Sequence, residues 1–180
     1  FAKRFPRSSV VAFEASVFNL SSLVSNININ DVNQRVTVGS FPLFSNVSVE
    51  CMYLSSDIAG GALNSFGNFN AVGDGGVSYP TFGFSLDFLC FDSPDPLKVP
   101  NMLKIDVDGI EPLILSGAQR LLGSSILETV FIEVDEREPT RIEAIEYLLT
   151  SNGFNLVGSF QAEGRSRGFS SCFNQIWVKG

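Results

Sequence analysis

The sequence predicts an α/β fold in which helices cover a mostly parallel sheet, and three observations lead there. Apolar runs of strand length alternate with segments whose apolar residues recur at helical spacing. Residues 102–123 compress that alternation into one stretch: an apolar run, a cluster of acids around one glycine, then Ile114, Ala118, Leu121 and Leu122 at helical spacing. The last two apolar runs leave no room for a helix between them, so the last strand is expected to be antiparallel to its neighbour. A single domain over residues 1–180 fits this length.

Residues 1–6, Phe-Ala-Lys-Arg-Phe-Pro, have the composition of the last turn of a helix, with cations near its C-terminus and proline just beyond. Val10, Val11, Ala12 and Phe13 form a buried-type strand ending on Glu14. Ser16 then opens a helix with Leu20, Leu23, Val24 and Ile27 on one face. Glu14 therefore falls at the carboxyl end of a strand, in the turn before a helix. An acid there accepts ribose hydroxyls in dinucleotide-type folds. It can equally stabilise the helix dipole by roughly 0.3–1 kcal/mol, and both readings stand. Residues 28–33 are a polar turn, and 35–44 read as the next strand.

Between residues 45 and 100 the pattern becomes an irregular excursion. Val47, Val49, Cys51 and Tyr53 suggest one strand, and Phe82, Phe84 and Leu86 alternate like another. The Gly, Asn and Ser-rich residues 59–80 lie between them. Gly73-Asp74-Gly75-Gly76 lacks the Gly-x-Gly-x-x-Gly spacing of a phosphate loop and precedes no helical pattern, so it reads as a turn. A loop this long is more often a lid or binding loop than filler.

Residues 92–100, with three prolines, approach the central strand 103–106. Pro112 suits an early helical position, and that helix is expected to run to about Leu122 and stop at Gly123. Residues 129–134 read as a buried strand terminating in Glu133, Asp135 and Glu136. Thr140 and Glu143 form a capping-box pattern for a helix carrying Ile142, Ile145, Leu148 and Leu149, stopped by Asn152-Gly153. Residues 154–160 and 173–178 are the closing strands. The link between them carries Arg165 and Arg167, which read as solvated rather than as holders of an acidic substrate group.

Composition narrows the function. A net charge of −7 opposes binding to a phosphate backbone, so nucleic acid is not expected as a partner. There is no histidine, which removes the commonest general base and transition-metal ligand. Cys51, Cys90 and Cys172 are odd in number with no Cys-x-x-Cys pair, as expected for reduced, buried thiols in a cytoplasmic protein. No apolar run approaches the ~20 residues that cross a bilayer, and no basic region precedes an apolar core, so neither membrane nor export is expected. Seventeen phenylalanines suggest an aromatic interior, some of which could face another subunit. The chain begins at Phe1 inside apparent structure, the expectation for a fragment or processed piece. Asn19 and Asn46 open glycosylation patterns too common to carry weight.

Asp106, Asp108 and Glu111 lie where the crevice of an open sheet binds ligands. Such carboxylates could perform acid/base work, hold a divalent cation, or accept hydrogen bonds from an amine- and hydroxyl-rich ligand. Asp108 and Glu111 also suit a helix N-terminus; Asp106, preceding the turn, does not. No Gly-x-Ser-x-Gly elbow and no Gly-Lys-Ser/Thr loop supports hydrolase chemistry.

Val-Val-Ala-Phe-Glu-Ala at 10–15, Ser-Leu-Asp-Phe-Leu at 85–89, Leu-Lys-Ile-Asp-Val-Asp-Gly-Ile-Glu at 103–111, Leu-Ser-Gly-Ala at 115–118 and Ile-Glu-Val at 132–134 resemble, in order and spacing, the FkbM-type methyltransferases. The resemblance implies a Rossmann-like fold, S-adenosylmethionine as cofactor and O-methylation of a small-molecule or sugar hydroxyl. In the third block the family usually has Glu where this chain has Asp108. The resemblance further implies that Glu14, with Ala15 beside it, binds the ribose hydroxyls, and that Pro42, Leu43, Phe44 and Ser45 border the adenine. Asp106 would lie near the transferred methyl group and could take a hydroxyl proton. Asp108, Glu111 and Glu133 would line the acceptor side or brace its turn. The family's first strand and glycine-rich turn are expected to be missing, which implies impaired cofactor binding and a raw strand edge open to homo-oligomerisation. The rival expectation is a non-catalytic α/β module that keeps the fold for binding or assembly.

Overall fold

The computed structural model describes residues 1–67, 76–161 and 171–180. By contacts they divide into two compact units, Phe1–Leu43 with Val47–Phe84, and Phe44–Asn46 with Ser85–Gly180. The fold is α/β.

In the first unit, apolar Val10–Phe13 forms β1, Val17–Ile29 the helix α1 and Val36–Gly39 the strand β2, which pairs with β1 in parallel. This is the strand–helix–strand crossover that the alternation predicts. Ser16 is the N-cap of α1 and its hydroxyl accepts the Asn19 N–H. Ala2, Ile27 and Val32 form the core of this layer, with Leu23, Val10, Val36 and Val38 packed against it. Leu20 is half-buried, but Val24, expected on the same face, is exposed.

Residues 1–6 form turns rather than a helix end, closed by Arg4 and Phe5 N–H groups on the Phe1 carbonyl. Arg35 gathers this segment by donating through Nη1 to the carbonyls of Ala2, Phe5 and Ser8. The strand expected over 35–44 stops at Gly39. Beyond it only Leu43 makes a bridge, with Phe84, and the Pro42 carbonyl accepts the Phe84 N–H at 3.1 Å.

The excursion holds a second sheet. Ser48–Leu54 (β3) lies between Ser65–Phe66 (β4) and Val77–Gly83 (β5), antiparallel to both. Met52, Leu54 and Phe66 are buried on it. The strand expected at Phe82, Phe84 and Leu86 thus begins five residues earlier, at Val77, and ends at Gly83. Its pairing with β3 decides the boundary, because hydrogen bonds along β3 reach back to Leu54 opposite Val77. Most of Gly73-Asp74-Gly75-Gly76, and Arg165 and Arg167, lie outside the described residues.

The second unit is built on a four-stranded sheet in the order β6-β7-β9-β8, from Met102–Ile105 (β6), Thr129–Asp135 (β7), Phe154–Phe160 (β8) and Cys172–Lys179 (β9). The β6–β7 ladder is parallel, while β7–β9 and β8–β9 are antiparallel. The last strand is antiparallel as expected. A mostly parallel sheet is not found among the described residues: only β1–β2 and β6–β7 are parallel ladders, and β9 runs antiparallel between β7 and β8.

Alternation along β7 buries Val130, Ile132 and Val134 in a core shared with Leu115, Leu121, Leu122, Ile145, Leu149, Phe154 and Trp177. Each such side chain contributes roughly 1.5–3 kcal/mol by burial. Pro139–Thr150 is the helix that follows β7, α4 below. It starts with Pro139 in its first turn and Glu138 as N-cap, so the Thr140/Glu143 capping box does not form; proline's fixed φ places the start one residue earlier. Gly153, at φ +82°, ends it as expected.

The helix expected over 112–122 is two, Glu111–Ser116 (α2) and Gln119–Gly123 (α3), which makes Pro139–Thr150 the fourth helix, α4. Asp87, just before a short π-helix at Phe88–Asp92, causes the break. Its N–H donates to the Gly117 carbonyl at 2.9 Å, while its carboxylate accepts the Arg120 and Leu121 N–H groups at 2.8 and 2.9 Å and so restarts the helix. Backbone also presses on Gly117: a Cβ there would lie 2.3 Å from the Phe44 carbonyl oxygen and 2.8 Å from that of Ser45. Gly117→Ala is therefore expected to destabilise the protein by about 1–3 kcal/mol in urea denaturation. Gly123→Ala, whose Cβ would meet only Asn152 Oδ1 at 4.0 Å, is expected to be neutral or stabilising.

Candidate functional site

Glu14 lies where the sequence places it, directly after β1, with its N–H continuing the ladder to the Gly39 carbonyl at 3.0 Å. The side chain is half-buried, and its Oε1 accepts the Ser16 N–H at 2.8 Å. The carboxylate therefore closes the turn into α1, as the helix-start reading anticipates. A carboxylate has about four acceptor positions, so this bond leaves capacity for a ligand. Ala15 is held by its carbonyl, which accepts the Tyr79 hydroxyl at 2.8 Å. Burial raises the Tyr79 pKa, the Val17 backbone opposes the shift, and the Glu14 charge adds to it. Tyr79 therefore stays a neutral donor. Sequence reading missed it because it stands 64 residues from Ala15, at the edge of the glycine-rich stretch.

The stretch 42–45 is divided. Pro42 and Leu43 belong to the first unit, tied to Phe84, which packs edge-on to Phe41 with ring centroids 4.7 Å apart. Phe44 and Ser45 belong to the second, with their carbonyls against Gly117.

The three acids after β6 take three different environments. Asp106 is exposed and pairs with Lys104 of its own strand. Such a surface pair is worth about 0–1 kcal/mol and can open to a ligand. Asp108 is half-buried. Glu111, the first residue of α2, is 2% exposed. Its Oε1 accepts the Gly109 N–H at 3.1 Å and its Oε2 faces Arg141 Nη1 of α4 at 3.6 Å, beyond hydrogen-bonding length. Arg141 also pairs with Glu138 at 3.5 Å. Gly109 has φ +110°, a conformation that favours glycine, and a Cβ there would come within 3.3 Å of Arg141 Nη1. Arg141 was not singled out from sequence, and nothing in its local pattern marks it.

Glu133 lies inside β7 rather than at its end, opposite Asn174 of β9. The end is Asp135, whose carboxylate is held well below its usual range by the Arg137 side chain. Among the described residues no group of three or more Asp, Glu or Cys is placed to hold a metal ion. Asp106 faces solvent while Glu111 is inside the core, so the acids do not form one cluster.

Burial raises the Glu111 pKa, and Asp108 adds to the shift; its own and the Gly109 N–H groups, then Arg141, oppose it. A folded pKa above the unfolded value means the folded state holds the proton longer. Stability from this group is therefore full below the ordinary Glu range and falls as pH rises through the folded pKa. Urea denaturation of Glu111→Gln at a series of pH values should show the variant gaining on the wild type as pH rises from about 4 to 7. A difference that does not change with pH would contradict the assignment.

No protein-family model matches the chain, and no curated protein matches it. Among solved structures the fold resembles that of methyltransferase FkbM from Methylobacillus flagellatus KT, with a TM-score of 0.58 and 15% identity over 95% of this chain. The chain spans 36% of the length of that protein, and at this identity the likeness is one of fold.

Proposed function

We propose that this chain is a methyltransferase-type domain built for S-adenosylmethionine and for O-methylation of a small-molecule or sugar hydroxyl. The proposal includes a single domain with the Rossmann-like arrangement. The observation that carries it is a local device used twice. In β1 and again in β6, a strand in a parallel ladder ends on a carboxylate that precedes a helix, Glu14 before α1 and Asp106 before α2.

The residues present fit the cofactor in part. Glu14 is half-buried, and with Ser16 on one oxygen it keeps acceptor positions for two ribose hydroxyls. Ala15 is fixed by Tyr79, and Pro42, Leu43, Phe44 and Ser45 would border the adenine. S-adenosylmethionine supplies an electrophilic methyl group on a sulfonium. The chain's own task is to align an acceptor oxygen with it, and alignment can contribute several kcal/mol, up to about 7–11. Asp106, once released from Lys104, would take the acceptor hydroxyl proton. Asp108 and Glu133 would line the acceptor side. Glu111, enclosed with Arg141, braces the turn instead. The partner is then a small molecule, neither nucleic acid nor membrane, for a cytoplasmic protein that self-associates through a strand edge. No described helix is long and apolar enough to cross a membrane.

One observation favours a second reading, a non-catalytic binding or assembly module. Both key acids have partners inside the fold, Glu14 with Ser16 and Asp106 with Lys104. An upstream reading frame carrying Asp/Glu-x-Gly-x-x-x-Gly after an apolar strand would favour the enzyme.

S-adenosylhomocysteine is expected to raise the melting temperature at high concentration but to bind this chain more weakly than low micromolar by calorimetry. Glu14→Gln should weaken that binding about tenfold or more, the equivalent of one charge-assisted hydrogen bond. Stabilisation by ATP but not by S-adenosylhomocysteine would overturn the cofactor assignment. Low-micromolar binding would overturn the expectation of weak binding by these residues.

A further inference from the structure

We infer that Asn19 and Tyr79 are positioning residues for Glu14, and that through them the second sheet of the first unit sets how well the site distinguishes a ribose diol from a deoxy sugar. The role in recognition rests on the reading of Glu14 as the ribose acceptor; the positioning itself does not. All the residues concerned lie in one compact unit, Phe1–Leu43 with Val47–Phe84.

Two attachments from far along the chain land on the turn that carries Glu14, on either side of Ser16, whose N–H the carboxylate accepts at 2.8 Å. From β5 the Tyr79 hydroxyl donates to the Ala15 carbonyl at 2.8 Å, and the Val17 backbone faces the same oxygen. From the loop between β3 and β4, Gly60 donates its N–H to Asn19 Oδ1 at 2.7 Å, and the Gly61 carbonyl accepts Asn19 Nδ2 at 3.1 Å. Asn19 is half-buried in the first turn of α1, and its own N–H is the one capped by Ser16. One amide side chain thus uses both its acceptor and its donor on a loop 41 and 42 residues away.

The loop is built around that contact. Asn64 accepts the Ser55 N–H at 3.1 Å and donates to the Gly61 carbonyl at 3.1 Å, so the carbonyl that receives Asn19 also closes the loop. Gly60 takes φ +88°, a conformation that favours glycine. Ile58 and Leu63 are 68% and 53% exposed, so directional polar bonds rather than apolar packing seat the loop on α1. A carboxylate selects hydroxyl groups only while its free oxygen keeps one orientation. Releasing Tyr79 or Asn19 loosens the turn on which that oxygen stands and leaves every atom of Glu14 in place.

Amide hydrogen exchange of the unliganded chain reads the positioning. Tyr79→Phe and Asn19→Ala are each expected to speed exchange of the Ser16 N–H about fivefold or more, with that of Val10 at the other end of β1 unchanged. Asn19→Asp keeps the acceptor for Gly60 and should fall between wild type and Asn19→Ala. Calorimetry with S-adenosylhomocysteine and its 2′-deoxy analogue reads the recognition. The wild type should prefer the ribose form about tenfold or more; Tyr79→Phe and Asn19→Ala should cut that preference to about threefold or less, with affinity for the deoxy analogue changing by less than about twofold. A purely structural role would lower both affinities together. Circular dichroism establishes that each variant is folded. Ser16 exchange unchanged in both folded variants overturns the inference, whatever the wild type binds, and leaves the cofactor reading standing. Faster exchange with the preference intact overturns the role in recognition. A wild type without the preference overturns the ribose reading of Glu14 instead, and the exchange result then decides the positioning by itself.

Discussion

A carboxylate placed in an apolar core has to bring its partners with it, and in the second unit Glu111 sets the rest of the local structure by doing so. Its Oε1 fixes the Gly109 N–H, and its Oε2 draws Arg141 from α4 over the same turn. Three constraints then follow. Position 109 takes a positive φ, α2 starts at Glu111, and α4 is held to the start of α2 through one guanidinium. Breaking a buried pair by removing one partner commonly costs about 3–5 kcal/mol, more than the net worth of the pair itself. What the pair contributes is a defined turn, and that turn points Asp106 outward.

The same logic appears where α3 is made. A five-residue helix does not persist alone, because nucleation is unfavourable and most of its backbone groups lack intrahelical partners. Here both ends are completed from elsewhere in the chain. Asp87 accepts the Arg120 and Leu121 N–H groups, and Lys179 donates through Nζ to the Leu122 and Ser124 carbonyls beside the Phe154 ring. The Arg120 guanidinium also pairs with Asp92 and lies 4.6 Å from the Phe91 ring centroid, which ties the π-helix to α3. Burial lowers the Lys179 pKa, the expected direction for a cation held against protein rather than water.

Elements whose information is local were legible in the sequence. β1, β6, β7, β8 and β9 are apolar runs, and Ser16 and Gly153 mark helix ends by their own chemistry. Elements defined by a partner were not. β5 contains Pro80 and borders a glycine-rich stretch, and only its pairing with β3 makes it a strand. The break at Gly117 depends on Asp87 and on the carbonyls of Phe44 and Ser45, none of which is near it in sequence. Arg141 and Tyr79 escaped for the same reason: each becomes significant through a contact that the chain makes only after folding.

That distinction also sorts the candidate chemistry. Sequence alone separates Asp106 from Asp108 and Glu111 only by its place before the turn, and solvent access divides them further. A carboxylate 2% exposed cannot reach a ligand without dismantling the turn it supports, so Glu111 acts through position alone. Asp106 has an exposed ion pair that costs about 0–1 kcal/mol to exchange for a ligand contact. Glu14 already holds the Ser16 N–H on one oxygen, but a carboxylate that closes the turn before a helix is also held in a fixed orientation, and fixed orientation is what hydroxyl recognition requires. In-fold partners at these two acids are therefore compatible with ligand binding: at Glu14 the partner pre-organises the group, and at Asp106 it neutralises the charge until something displaces it.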